Sequence, residues 1–192
     1  GWFNKEISAL GDLQGLTMRI PSLGGEVFRR AGGVPVTMQV SEVFTALQTG
    51  ALDATEFVSP YNDLAAGYHT VADYYYYPGW HEPGSTLETI FNKERFESLP
   101  VDLQEILMAG TEIMNQLLLD ELTARNNEAL RVLVEEHGVQ LRKLPNDVLA
   151  ELHRISNEVV GELALVDEST SRVYESWRNF RDNVLNYNRI AE

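Results

Sequence analysis

The chain has 192 residues, 44% of them hydrophobic and 23% charged, and contains no cysteine. That is the composition of a globular protein of one domain or one and a half, and it excludes disulfide staples, thiolate metal sites and thiol catalysis. The 29 acidic residues against 15 basic ones give a net charge of −14, a field that repels phosphate backbones and argues against nucleic acid as a partner. No apolar run reaches the ~20 residues of a membrane span, and no basic amphipathic face is built for an anionic membrane surface.

The chain opens on Gly1-Trp2-Phe3, without an initiator Met or an apolar leader core, and reads as a processed protein or a piece of a longer one. Strand and helix signals then alternate at short intervals. Leu16 to Ile20 is a short β-compatible run ended by Pro21 and the Gly24-Gly25 pair. Glu26 to Arg30 reads as a short helix closed by Gly32 and Gly33. Val34 to Met38 is strand-like again, and Pro35 restricts it to a sheet edge or a strand start. Ser41 is placed to cap a helix running through Gln48, with Gly50 as its stop, and Leu52 to Val58 is a third strand-like run. This β-α-β-α-β rhythm predicts a parallel α/β sheet.

The middle of the chain is aromatic, with Tyr74 to Tyr77 predicted to alternate their rings if extended. It leads into the turn-rich Pro78-Gly79-Trp80-His81-Glu82-Pro83-Gly84, after which Thr86 to Asn92 is a strand candidate. From Pro100 the period becomes helical: Leu103, Ile106, Leu107, Ile113, Met114, Leu117, Leu118 and Leu122 recur at three and four. The stripe can run to His137, a helix of roughly 55 Å, longer than a small domain is wide. Val139 to Leu144 is a last strand, Asn146 starts a helix through about Leu165, and a final helix covers roughly Glu168 to Asn188.

No nucleophile elbow, phosphate loop, dinucleotide fingerprint or zinc-protease motif is present. The glycine pairs read as turn glycines. Arg19 ends the first strand, at the sheet edge where open α/β folds bind ligands; it is either a salt-bridged surface arginine or a bidentate clamp for a carboxylate. Glu56 stands at the matching end of the third strand, beside Phe57, and Glu82 lies in the turn after Trp80 and His81. Two carboxylates near one arginine leave a surplus negative charge, which repels an anionic ligand unless a hard cation such as sodium, calcium or magnesium bridges them. His81 supports the turn or contacts ligand; His69, His137 and His153 read as structural.

Several of these segments resemble one family. The run Asp12-Leu13-Gln14-Gly15-Leu16-Thr17-Met18-Arg19-Ile20-Pro21 resembles the DLxGLKMRIP signature of the solute-binding subunits of TRAP (tripartite ATP-independent periplasmic) transporters. Glu42 through Ala54 is similar to that family's E-x-Y-x-A-L-Q-x-G-x-x-D-x stretch. Thr55-Glu56-Phe57, Tyr74 to Tyr77 and Pro78 through Gly84 resemble the branch that binds 2-oxo and 2-hydroxy monocarboxylates. Phe57 replaces a tryptophan frequent in that branch, a change that a contact through the backbone carbonyl survives.

The resemblance implies a two-lobed α/β fold of the periplasmic-binding-protein kind with a long connecting helix, its first lobe incomplete in this chain. It divides the chain into a second-lobe unit at 1–85, a crossing strand and long shared helix at 86–137, and a return strand with C-terminal helices at 138–192. It implies substrate contacts from Arg19, Glu56, Phe57, Trp80 and His81, and a sodium or calcium ion held by Glu56, the Phe57 carbonyl and Glu82. The implied function is a non-enzymatic receptor in the periplasm that passes a small carboxylate to a TRAP membrane permease. A homodimer through the C-terminal helix also follows from the resemblance, although packing on its own lobe explains the same stripe. The competing classes are a metal-dependent enzyme using Glu56, Glu82 and His81, and a plain interaction domain.

Overall fold

The computed structural model describes residues 1–84 and 87–191. Six strands form one sheet in the order β3-β2-β4-β1-β5-β6: β1 (Trp2–Phe3), β2 (Thr17–Arg19), β3 (Val34–Val36), β4 (Ala54–Thr55), β5 (Tyr74–Tyr77) and β6 (Gln140–Lys143). All neighbouring pairs are parallel except those of β1, which runs antiparallel to both β4 and β5. The sheet is therefore mixed rather than wholly parallel. Two residues carry no readable period, which is why β1 escapes a sequence reading. Pro35 does sit on the edge strand β3, where its missing N–H costs no ladder bond on the outer side.

The helices are α1 (Ser22–Arg30), α2 (Val40–Thr49), α3 (Pro60–Ala66), α4 (Lys93–Glu97), α5 (Val101–Glu135), α6 (Asn146–Leu163) and α7 (Glu168–Ala191). Helix α1 begins four residues earlier than expected, so Gly24 and Gly25 lie within it instead of forming a turn. A Cβ on Gly25 would come within 2.7 Å of the Ile20 carbonyl oxygen, and that close approach explains the residue. Gly32 does turn the chain, with φ +100°. Helix α2 starts at Val40 rather than Ser41, because Glu42 reaches back to the Gln39 amide at 3.2 Å. Helix α3 had no counterpart in the sequence reading, although Ser59-Pro60 before it and Gly67 after it are ordinary start and stop signals.

The sheet parity sorts the apolar residues into two cores. Phe3, Met18 and Tyr76 face α1 and α6, meeting Phe28, Leu152 and Ile155. Their neighbours Trp2 and Tyr75 face the other way, packing with Leu47 of α2, Tyr68 and Leu133 of α5. The tyrosine run alternates as expected. Each large side chain so buried contributes about 1.5–3 kcal/mol.

The strand expected at 86–92 is not found: Thr86 lies outside the described residues, and 87–92 form no strand. Leu87 and Ile90 are 64% and 86% exposed, so this segment has neither a pairing edge nor an apolar surface to bury them on. Helix α5 reaches Glu135, a rod of about 52 Å, but only Ala129 and Leu133 of it are buried.

Candidate functional site

The register of β2 and β4 sets Arg19 beside Thr55, so Glu56 emerges at the C-terminal edge next to Arg19. Its amide donates to the Arg19 carbonyl at 3.3 Å. Between the side chains, Arg19 Nη1 pairs with Glu56 Oε1, and His81 Nε2 approaches Glu56 Oε2 at 3.5 Å. One buried carboxylate is thus shared by a guanidinium and an imidazole. Arg19 Nε and His81 Nδ1 are buried and have no hydrogen-bond partner among the described residues, leaving one guanidinium donor and one imidazole nitrogen for a further group.

In front of Glu56 lies a cavity of about 510 Å³ lined by Glu56, Phe57, Asp63, Tyr75, His81 and Glu82, with Leu130 and Leu141 on its apolar side. The structure therefore brings Glu56, Phe57, His81 and Glu82 to one space. Arg19 stands behind Glu56 rather than in the wall. Trp80 turns away from the cavity, packing on the α1–α6 core with its ring edge-on to His81 at 5.4 Å.

Asp63 is the site residue the sequence reading missed. It is 3% exposed and accepts three hydrogen bonds: Trp2 Nε1 at 2.9 Å, Tyr75 OH at 2.8 Å and the Val58 amide at 3.2 Å. Burial pushes its carboxyl above the usual range, while these three donors oppose the shift. Burial, and then the Asp63 charge and hydrogen bond, push the Tyr75 hydroxyl up strongly, so it stays a donor. Trp2 and Tyr75 stack at 4.2 Å. Helix α3, which carries Asp63, is tethered in turn to α5: the Tyr61 amide donates to Asn126 Oδ1 at 3.0 Å, and Arg125 lies over the Tyr61 ring at 5.0 Å.

Elsewhere, the rings of His69 and His137 meet at 4.2 Å. Burial and the neighbouring His137 hold His69 below the ordinary histidine range.

Among the described residues, no three His, Cys, Asp or Glu side chains converge as a metal cluster. The oxygen donors around the cavity are two glutamates and a backbone carbonyl, a hard set that fits sodium or calcium better than a softer metal. The carboxylates outnumber the one guanidinium, so the site is electrostatically suited to a cation before an anion.

The model of the family described as bacterial extracellular solute-binding protein, family 7 (DctP) matches residues 1–165. The chain is 40% identical over its whole length to the monocarboxylate 2-oxoacid-binding periplasmic protein of Nostoc sp., of which it spans 52%. Two solved TRAP periplasmic solute-binding proteins have the same fold. The one from Colwellia psychrerythraea, with bound calcium and pyruvate, superposes at TM-score 0.91 and 34% identity, covering 99% of this chain and 58% of that one. The one from Pseudoalteromonas atlantica, with bound sodium and pyruvate, gives 0.90 and 35%, covering 100% and 58%. The chain thus spans about half the length of the relatives it matches, and no helix among its described residues is long and apolar enough to cross a membrane. On the family model, which matches most of the chain, the chain belongs to the DctP family of bacterial extracellular solute-binding proteins.

Proposed function

We propose that the chain provides the anion- and cation-holding part of a periplasmic receptor for a small 2-oxo or 2-hydroxy monocarboxylate such as pyruvate, lactate or a branched 2-oxo acid, which it delivers to a TRAP membrane permease. The observation that carries this reading is the Arg19–Glu56–His81 cluster behind a cavity into which Glu56 and Glu82 both open. In it, Arg19, whose guanidinium lies behind Glu56 and pairs with it, takes the ligand carboxylate, with Phe57 and His81 beside the ligand. Trp80 acts on the ligand only through His81, against which it packs. Glu56, the Phe57 carbonyl and Glu82 hold a sodium or calcium ion, which when bound supplies positive charge to the ligand oxygens. Binding without turnover fits the cluster better than acid–base chemistry does, because both oxygens of Glu56 are already engaged, one by Arg19 and one by His81. The enzyme reading has no comparable support.

The same reading makes 1–85 the second-lobe unit carrying much of the site, 86–137 the segment shared with a first lobe, and 138–192 the return strand and C-terminal helices. Exposed Trp177, Phe180 and Leu185 on α7 support a homodimer through that helix, as does the lack of any buried residue in it. Native mass spectrometry of the full-length protein, with its co-purified ligand retained, tests the function. A small carboxylate and one cation per subunit are expected; a ligand lacking a carboxylate would overturn the reading. Light scattering with and without residues 168–192 tests the dimer, and a monomer in both cases removes it.

A further inference from the structure

Phe57 C=O and Val58 N–H belong to one peptide group. A trans peptide is planar, so these two bonds point in opposite directions, and the only cis peptide among the described residues is Tyr77–Pro78. The Val58 N–H donates to Asp63 Oδ1 at 3.2 Å, while the Phe57 carbonyl accepts no hydrogen bond among the described residues. Asp63 is itself immobilised: Oδ2 takes Trp2 Nε1 from β1 and Tyr75 OH from β5, both from strands of the sheet. No arginine or lysine pairs with this carboxylate among the described residues; the hydrogen bonds it accepts come from neutral donors, and the Gly1 ammonium acts on it only at a distance. Burying a carboxylate is costly, and a core of apolar residues would hold α3 as well. What the carboxylate adds is a fixed acceptor on the N–H side of the 57–58 peptide.

We infer that Asp63 is a positioning residue for the cation site: by gripping the Val58 N–H it locks the 57–58 peptide plane and polarises the Phe57 carbonyl that faces away from it. Hydrogen-bonded chains strengthen one another in a low-dielectric interior, and groups that orient metal ligands typically change metal affinity 10–100-fold when removed. The inference rests on the reading above that the Phe57 carbonyl is a cation ligand.

The test is a calcium titration, followed by calorimetry, of the full-length protein after exhaustive chelation. Asp63→Asn should weaken calcium binding 10-fold or more. Trp2→Phe breaks a different bond to the same carboxylate and disturbs the core, but spares the Val58 contact; it should lower the melting temperature while leaving calcium affinity within about twofold. Equal losses in the two variants would mean that Asp63 acts only as a structural residue, and overturn the inference. So would tight calcium binding by Asp63→Asn alongside tight binding by the unmodified protein. Failure of the unmodified protein to bind calcium or sodium would instead bring down the cation reading itself. Should Asp63→Asn not fold, ¹³C at the Phe57 carbonyl and ¹⁵N at Val58 in the unmodified protein decide the matter. Calcium should shift both resonances, and a shift at the carbonyl with none at the Val58 amide would overturn the coupling.

Discussion

Arg19 and Glu56 are joined twice, once by the backbone bond from the Glu56 amide to the Arg19 carbonyl and once through their side chains. The first link is imposed by the parallel register of β2 and β4. The second is therefore made without ordering any loop, and both side chains are largely buried, at 15% and 8% exposure. Removing one partner of such a pair leaves an uncompensated charge, a loss of about 3–5 kcal/mol. Arg19→Met should accordingly destabilise the fold, and Arg19→Met/Glu56→Gln should be more stable than the single variant. Urea denaturation of both checks this; equal midpoints would mean that the pair is not a buried unit.

On the proposed reading the same arginine should also set ligand affinity. Truncating one member of a desolvated charge pair costs about 2–5 kcal/mol, or ~30-fold and upward. Arg19→Ala should weaken pyruvate binding by at least that factor in calorimetry, and Arg19→Lys should restore only part, since an ammonium lacks the planar fork. Unchanged affinity would remove Arg19 from the site.

Ion and carboxylate should bind as linked ligands. Facing an anion without a cation, Glu56 and Glu82 oppose its binding; with sodium or calcium between them the sign reverses. Pyruvate affinity should fall about 5–150-fold in chelated, sodium-free buffer, and Glu56→Gln should weaken ion and pyruvate together, because coupling is reciprocal. Full affinity in ion-free buffer would leave the two glutamates as ordinary carboxylates.

His69 makes stability depend on pH. Its folded value lies below the ordinary 6.5 because of burial and the nearby His137. Between those two values the unfolded chain holds a proton that the folded one does not, so folding is weakened as pH drops below about 6.5. Asp63 acts with the opposite sign and lower down: its value is raised above 3.8, so the folded chain takes up that proton first. The melting temperature should therefore fall between about pH 7 and about pH 5.5, and His69→Gln should flatten that slope. A parallel slope in the variant would assign the effect to other groups.

Gly33 is required by packing. A Cβ there would sit 2.2 Å from the ring of Phe28, which is buried in the α1–α6 core. Gly33→Ala should cost about 1–3 kcal/mol as an overpacking change. Gly11→Ala, with nothing within 4 Å, should stay within about 0.5 kcal/mol. Chemical denaturation of the two variants gives the comparison directly.

The sequence made legible whatever repeats or ends in a recognisable way. The long stripe from Leu103 onward announced α5, Gly50 closed α2, and alternation sent Tyr75 and Tyr76 to opposite cores. Arg19 and Glu56 were readable as site candidates because they end neighbouring strands, at the edge where open α/β sheets bind ligands. Asp63 was not, since its importance lies in donors contributed by Trp2 and Tyr75, 61 and 12 residues away in the chain. Nor was β1, whose two residues belong to the sheet only because β4 and β5 leave a slot between them. The 86–92 segment misled for the converse reason: Leu87 and Ile90 have the apolar character of a strand, but a strand exists only where another edge accepts it.

Helix α5 is held near one end. Its buried residues, Ala129 and Leu133, lie in the last two turns, and its tether to α3 at Asn126 is less than one turn further back. Among the described residues, the stretch from Val101 to there has no buried residue. A tilt of about a tenth of a radian at Leu133 carries Val101 through roughly 5 Å over the ~48 Å between them. Because Tyr61 and Asp63 share helix α3, the tether to α5 and one wall of the cavity are built from the same seven residues.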